Sequence, residues 1–181
     1  MKKTMIFEEK TIKKETIYEG KILNLRRNIV QAAGGQATRE VIEHNGAVAM
    51  VAMTDAEHVA LIKQYRYPMR EVILEIPAGK IDKGETDPDD AAARELKEET
   101  GYTAGSMEKL GKIYPSVGYS EEGIVLYLCR DLTPGDTDMD EDEDIEMVEY
   151  DFDEACRMAE HGEIRDAKTV CALLMARAKL R

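Results

Sequence analysis

Two nearly continuous apolar runs, Gly46-Ala-Val-Ala-Met-Val-Ala-Met53 and Val59-Ala-Leu-Ile62, are split by a short polar turn at 54–57. A strand with one face in water alternates apolar and polar residues, so runs without alternation predict strands covered on both faces. Helices provide such cover, and three are expected: 88–100, about 153–161, and one from 166 towards the C-terminus. Further strands are expected at 72–76, ended by Pro77-Ala78-Gly79, at 123–129 and at 145–150. The fold class is therefore α/β.

Before Gly46 the pattern differs. Residues 11–18, 22–31 and 37–43 read as extended segments, turned at Glu19-Gly20 and at Gly34-Gly35, and predict a small antiparallel unit. Three strands alone are marginal in water, so this unit must pack on the rest of the chain or on a second copy. The expected division is 1–45 and 46–181.

Net charge is −12, with no basic block or aromatic-basic stripe, which argues against a polyanionic nucleic acid as partner. No apolar run approaches membrane-spanning length, and the first ten residues lack the apolar core of a signal peptide, so no membrane association is expected. The three cysteines, Cys129, Cys156 and Cys171, are an odd number without metal-ligand spacing and sit in apolar-patterned stretches. A reducing cytoplasm is the expected location.

The chemistry concentrates on the helix 88–100. Asp87 is its expected N-cap, Pro88 suits the first helical position, Asp89 and Asp90 favour the positive end, and Gly101 stops it. An advance of 100° per residue brings Glu95, Glu98 and Glu99 within about a third of the circumference. Ala92, Ala93 and Leu96 are expected to supply the apolar contact, and the glutamates to face solvent. Like charges at these spacings repel, so the helix alone fits either a solvated face paired with scattered cations or a site for a hard cation such as Mg2+.

The surrounding residues narrow this choice. Gly79, Glu85, then Arg94-Glu95-Leu96-Lys97-Glu98-Glu99-Thr100-Gly101-Tyr102 resembles the Nudix box, a glycine, a glutamate, then Arg-Glu-apolar-x-Glu-Glu-x-Gly-apolar. Eight residues separate Glu85 from Arg94 where the family pattern has seven, so an extra residue sits near Thr86 or Asp87. The resemblance implies a Nudix fold, a mixed β-sheet sandwiched between helices, here preceded by the small N-terminal β unit. It also implies that Glu95 and Glu99 bind metal, that Glu98 assists as a ligand or behind one, and that Arg94 pairs with Glu85.

Glu43-His-Asn-Gly-Ala-Val-Ala49, Leu61-Ile-Lys-Gln-Tyr-Arg66, Leu74-Glu-Ile-Pro-Ala-Gly79, Tyr114-Pro-Ser116 and Gly162-Glu-Ile-Arg-Asp-Ala-Lys-Thr169 resemble the ADP-ribose pyrophosphatase branch of that family. The branch usually reads Ser-Pro-Gly where this chain has Ser116-Val117-Gly118. The resemblance implies hydrolysis of a nucleoside diphosphate sugar, with ADP-ribose first and other ADP- or GDP-sugars as alternatives. It further implies the Ala78 carbonyl as a metal ligand, with Mg2+ or alternatively Mn2+ as the ion. Arg66, Arg39 and Glu75 are candidate substrate contacts, and a surface ion pair is the equal alternative for each arginine. In the acidic run Asp140-Glu-Asp-Glu-Asp144 it suggests Glu141 as general base and Glu143 as a supplementary ligand or alternate base. The N-terminal unit would form a homodimer in which Arg39 and Glu40 serve the neighbour's site. A non-catalytic nucleotide-sensing module and an RNA-directed pyrophosphohydrolase are the rivals. The intact box carboxylates speak against the first and the missing basic patch against the second.

Overall fold

The computed structural model describes residues 6–139 and 144–181 and divides into two units. The first combines residues 1–45 with Ser116–Glu122. Its strands β1 (Lys10–Glu19), β2 (Asn24–Ala32) and β3 (Gly35–Glu43) form an antiparallel sheet in that order. Ala32 pairs with Gly35, so Ala33 and Gly34 form the turn expected one residue later, and Gly35 takes φ +124°. The loop 116–122 is tied to β3 by Ile42 N–H donating to Tyr119 O (2.7 Å) and Glu121 N–H to Ile42 O (3.0 Å). Every residue of β1 is exposed.

The second unit, Gly46–Pro115 and Gly123–Arg181, carries a seven-stranded mixed sheet. Its strands are β4 (Ala47–Met53), β5 (His58–Arg66), β6 (Glu71–Glu75), β7 (Ala78–Lys80), β8 (Thr103–Ile113), β9 (Ile124–Thr133) and β10 (Ile145–Asp151). The main order is β10-β5-β4-β9-β8, with β6 on β5 and β7 on β4. Among the described residues of this sheet only β4 and β9 run parallel; every other pair is antiparallel. All of β4 is buried, and its side chains alternate between two cores. Ala47, Ala49, Val51 and Met53 join α2 (Phe152–Glu160) and α3 (Ala167–Leu180); Val48, Met50 and Ala52 join α1 (Pro88–Thr100). β9 alternates likewise, with Leu126 in one core and Tyr127 in the other. Helices thus cover both faces of the central strands. Among the described residues no helix is long and apolar enough to cross a membrane.

Two strand expectations change. Pro77 does not end the extended chain: Ala78–Lys80 pairs with Ala49–Ala47, and Met50 N–H donates to Pro77 O at 2.9 Å. β8 had no counterpart in the sequence reading. It is an edge strand of mostly half-exposed residues, carries two glycines, and has a register irregularity between Lys109 and Gly111, so it lacks the alternation that announces a strand.

Helix α1 is built from local signals. The Asp87 side chain accepts from Asp89 N–H, Pro88 follows it, and Gly101 closes the helix at φ 75° with its N–H on Lys97 O. Tyr127, almost fully buried on β9, donates to Asp89 at 2.5 Å and fastens the first turn to the sheet. Ala91, Ala92 and Leu96 are buried; Ala93, expected among them, is exposed because it turns away from β4 and β9.

Candidate active site

Arg94 sits at the centre of the acidic face. Its Nη1 donates to Glu95 Oε1 (2.9 Å) and Glu98 Oε2 (2.8 Å). Its Nε and Nη2 grip Glu85 (3.1 and 3.2 Å), and Nη2 also reaches Lys80 O (3.1 Å). The Glu85–Arg94 pair forms despite the extra residue between them. Arg94 and the N–H of Asp82 hold the Glu85 carboxyl below the usual carboxylate range, and Glu85 and its acidic neighbours push the Arg94 guanidinium up. With Asp82 at 3.8 Å as well, one guanidinium stands among four carboxylates and leaves a net negative cluster.

Glu99 does not face solvent as its helical position suggested. It is 4% exposed, and its Oε2 accepts from Ala78 N–H at 2.8 Å. β7, pairing with β4, brings Ala78 beneath the helix and causes this burial. The contact explains the glycine that follows. A Cβ on Gly79 would lie 1.9–2.1 Å from the three atoms of the Glu95 carboxylate, so that carboxylate rests directly over the glycine Cα. α1 and β7 thus place Glu95 against Gly79 and Glu99 against Ala78, while Glu98 meets Glu95 only through Arg94.

Among the described residues no three His, Cys, Asp or Glu side chains converge as they would around a cation. Arg94 draws Glu95 and Glu98 to itself, and Glu99 is turned to Ala78. The donor set nevertheless suits a hard divalent ion in kind: clustered carboxylates with a main-chain segment held against them, and a cradle at Gly79 that any side chain would fill.

A second constellation lies on β5, β6 and the start of α3. A cavity of about 390 Å³ is lined by Arg66, Met69, Ile73, Glu75, Arg165 and Lys168, among others. The Glu75 side chain is 2% exposed, which sets it beneath the cavity's cations rather than at its mouth. It accepts from Arg66 Nε (2.6 Å) and Nη2 (2.9 Å), and also from Lys168 Nζ. Burial pushes the Glu75 carboxyl up, but the two cations outweigh it and the net shift is downward. Arg66 is raised chiefly by its bond to Glu75, with a smaller contribution from Glu99. Asp166 holds Lys168 (3.0 Å) and caps α3 through Thr169 N–H (2.9 Å). Lys168 was missed in the sequence reading. Its one local signal is a cation in the first turn of a helix, where the dipole disfavours it.

Arg39 and Glu40 lie on β3 in the N-terminal unit, where Arg39 is held by Glu9 at 2.9 Å. Glu141 and Glu143 fall outside the described residues. Cys129 and Cys156 are buried, and burial pushes their thiols up to about 12 and about 11, which suits packing and not nucleophilic chemistry.

A box of this composition on a mixed sheet flanked by helices defines a class, and the NUDIX domain model matches residues 43–173: the chain belongs to the Nudix family. It is 42% identical over 169 residues to the ADP-ribose pyrophosphatase of Bacillus subtilis (strain 168), covering 92% of this chain and 91% of that protein. It is also 42% identical over 171 residues to the methanol dehydrogenase activator of Bacillus methanolicus, covering 93% and 92%. A crystal structure of an ADP compounds hydrolase matches with a TM-score of 0.84 at 25% identity, covering 97% of this chain and 96% of that one.

Proposed function

We propose that this protein is a divalent-metal-dependent hydrolase that cuts the pyrophosphate bond of a nucleoside diphosphate sugar, with ADP-ribose as first substrate, giving AMP and ribose 5-phosphate. The observation that carries the proposal is the acidic cluster on α1, seated over Gly79 and holding more negative charge than Arg94 offsets. The identity to an ADP-ribose pyrophosphatase over nine-tenths of the chain supports the choice of substrate.

Glu95, Glu98 and Glu99, with the Ala78 carbonyl and Glu143, would hold the ion, magnesium first and manganese as the alternative. When bound, the ion offsets charge on the diphosphate that the carboxylates would otherwise repel. The protein's own groups do the rest. Arg66 keeps its Nη1 edge for phosphate oxygens, because Glu75 occupies only Nε and Nη2. Glu141 takes the proton of the attacking water, with Glu143 or Glu98 as the fallback, while the bond from phosphorus to the bridging oxygen breaks. Gly79 keeps Glu95 seated, and Arg94 holds Glu95 and Glu98 on one side of the helix.

The N-terminal unit is assigned to a homodimer that lends Arg39 and Glu40 to the neighbour's site. The fully exposed β1 and the exposed Ile12, Ile17 and Ile22 support a covering second copy. The net charge of −12 favours a small cation-bridged substrate over nucleic acid, and the cysteine pattern favours the cytoplasm.

The test is to incubate the pure protein with Mg2+ and a panel of ADP-ribose, other ADP-sugars, a GDP-sugar and a capped RNA. Release of the nucleoside monophosphate from ADP-ribose fastest is expected; no release from any sugar nucleotide sinks the proposal. Sedimentation of the active protein as a monomer sinks the shared-site dimer.

A further inference from the structure

Glu75 is a single buried carboxylate with two cations on it, one from β5 and one from α3, 102 residues apart in the sequence. The Arg66 side chain is 38% exposed and lines the cavity, whereas Lys168 is 12% exposed and is held on two sides, by Glu75 and Asp166. Arg66 spends Nε and Nη2 on Glu75, and its Nη1 has no protein partner among the described residues. A guanidinium gripped from the side keeps its outer edge for a second bidentate acceptor, which is the geometry that phosphate recognition uses.

Lys168 occupies a costly position. It stands in the first turn of α3, a turn without an acidic residue, where the helix dipole opposes a cation; α1 and α2 place Asp89, Asp90, Asp153 and Glu154 in theirs. What offsets this is two carboxylates, the N-cap Asp166 at 3.0 Å and Glu75, whose Oε2 Lys168 shares with Arg66 Nη2. Without Lys168, Glu75 would carry its buried charge against Arg66 alone. The arginine would then be the only group left to neutralise it and would be drawn inward from the cavity.

We propose that Lys168 is a positioning residue for substrate binding: from α3 it shares Glu75 Oε2 with Arg66 Nη2 and offsets the buried charge, so that Glu75 clamps Arg66 side-on and presents the open guanidinium edge to a diphosphate in the cavity. The inference rests on the proposed hydrolysis for its substrate, but it concerns diphosphate binding and is tested without turnover.

ADP is the probe, and its dissociation constant is measured by calorimetry at a temperature where each variant is folded, alongside KM and kcat for ADP-ribose. Lys168→Met is expected to weaken ADP about tenfold and raise KM by a similar factor, with kcat within about threefold, the pattern of lost uniform binding. Lys168→Arg, which can still reach Glu75 and Asp166, should stay within about threefold of the parent. Because the lysine acts through the glutamate, adding Lys168→Met to Glu75→Gln should weaken ADP by less than about twofold beyond Glu75→Gln alone. This pair also serves if Lys168→Met by itself does not fold, since the double variant removes the charge left unpaired. Unchanged ADP binding in Lys168→Met, no rescue by arginine, or a full tenfold loss in the Glu75→Gln background would each overturn the proposal. A parent that binds ADP with these dependences yet cleaves no sugar nucleotide would refute the proposed reaction and leave this assignment standing.

Discussion

Replacing Gly79 with alanine separates the fold from the site. The backbone there is not in the left-handed region, so alanine introduces no conformational strain, and the whole effect comes from one methyl group. That Cβ would stand 1.9 Å from Glu95 Cδ, where ordinary contact begins at 3.4 Å, so the carboxylate must retreat by roughly 1.5 Å. The obstacle is the free end of a flexible side chain, not backbone, so the helix can stay in place. The retreat breaks the 2.9 Å bond to Arg94, a half-buried charge-assisted contact whose loss costs about 1 kcal/mol. A loss of that size lowers the melting temperature of a chain this long by roughly 2–4 °C. The functional cost is far larger, because a displacement of about 1 Å in a positioned group can cost about 100-fold in rate. We expect Gly79→Ala to fold and melt within a few degrees of the parent in chelator. Its kcat on ADP-ribose should fall about 100-fold, and it should need more Mg2+ for half-maximal rate. A variant with parental turnover and parental metal dependence would refute the seating of Glu95 on Gly79. A drop of more than about 10 °C would show that backbone, not the carboxylate, gives way.

Other outcomes follow from the same geometry. Glu99→Gln keeps an oxygen acceptor for Ala78 N–H, so its melting temperature without metal should match the parent while turnover falls at least about 100-fold; near-normal turnover at saturating Mg2+ would remove Glu99 from the metal site. Glu141→Gln should lower kcat by about 100-fold or more with little change in substrate affinity, as expected of a general base, and if both it and Glu143→Gln keep kcat within a few-fold, the base lies elsewhere. Glu75, depressed in the folded state, contributes stability that is fully present above the ordinary carboxylate range and is lost as pH falls through its lowered value. Melting curves across that acid range should show the loss in the parent and lack this component in Glu75→Gln, which should be roughly 3 kcal/mol less stable at neutral pH; superimposable curves would refute the buried-pair assignment.

Much of this protein follows from short-range chemistry that a reader of the sequence can see. The run from Gly46 to Met53 determines a doubly covered strand, because no alternation leaves a face for water. Asp87, Pro88 and Gly101 determine where α1 starts and stops, since caps act over three or four residues. The 3.6-residue period then determines that Glu95, Glu98 and Glu99 share a side of it. What tertiary structure alone decided lies in contacts between residues far apart in the chain. Glu99 is buried because β7, 21 residues earlier, donates Ala78 N–H to it. Glu75 sits beneath the cavity because Arg66 and Lys168 converge on it from two elements, the latter 93 residues away. Residues 116–122 group with the N-terminal strands through main-chain hydrogen bonds to Ile42 and the Arg26–Glu121 ion pair, whose partners are 95 residues apart. β8 exists because β9 offers it a hydrogen-bonding edge, not because its own residues alternate. A pattern in the sequence records what a residue needs, such as a buried face, a cap or a countercharge. Which distant group meets that need is settled only when sheet pairing and helix packing bring the two together.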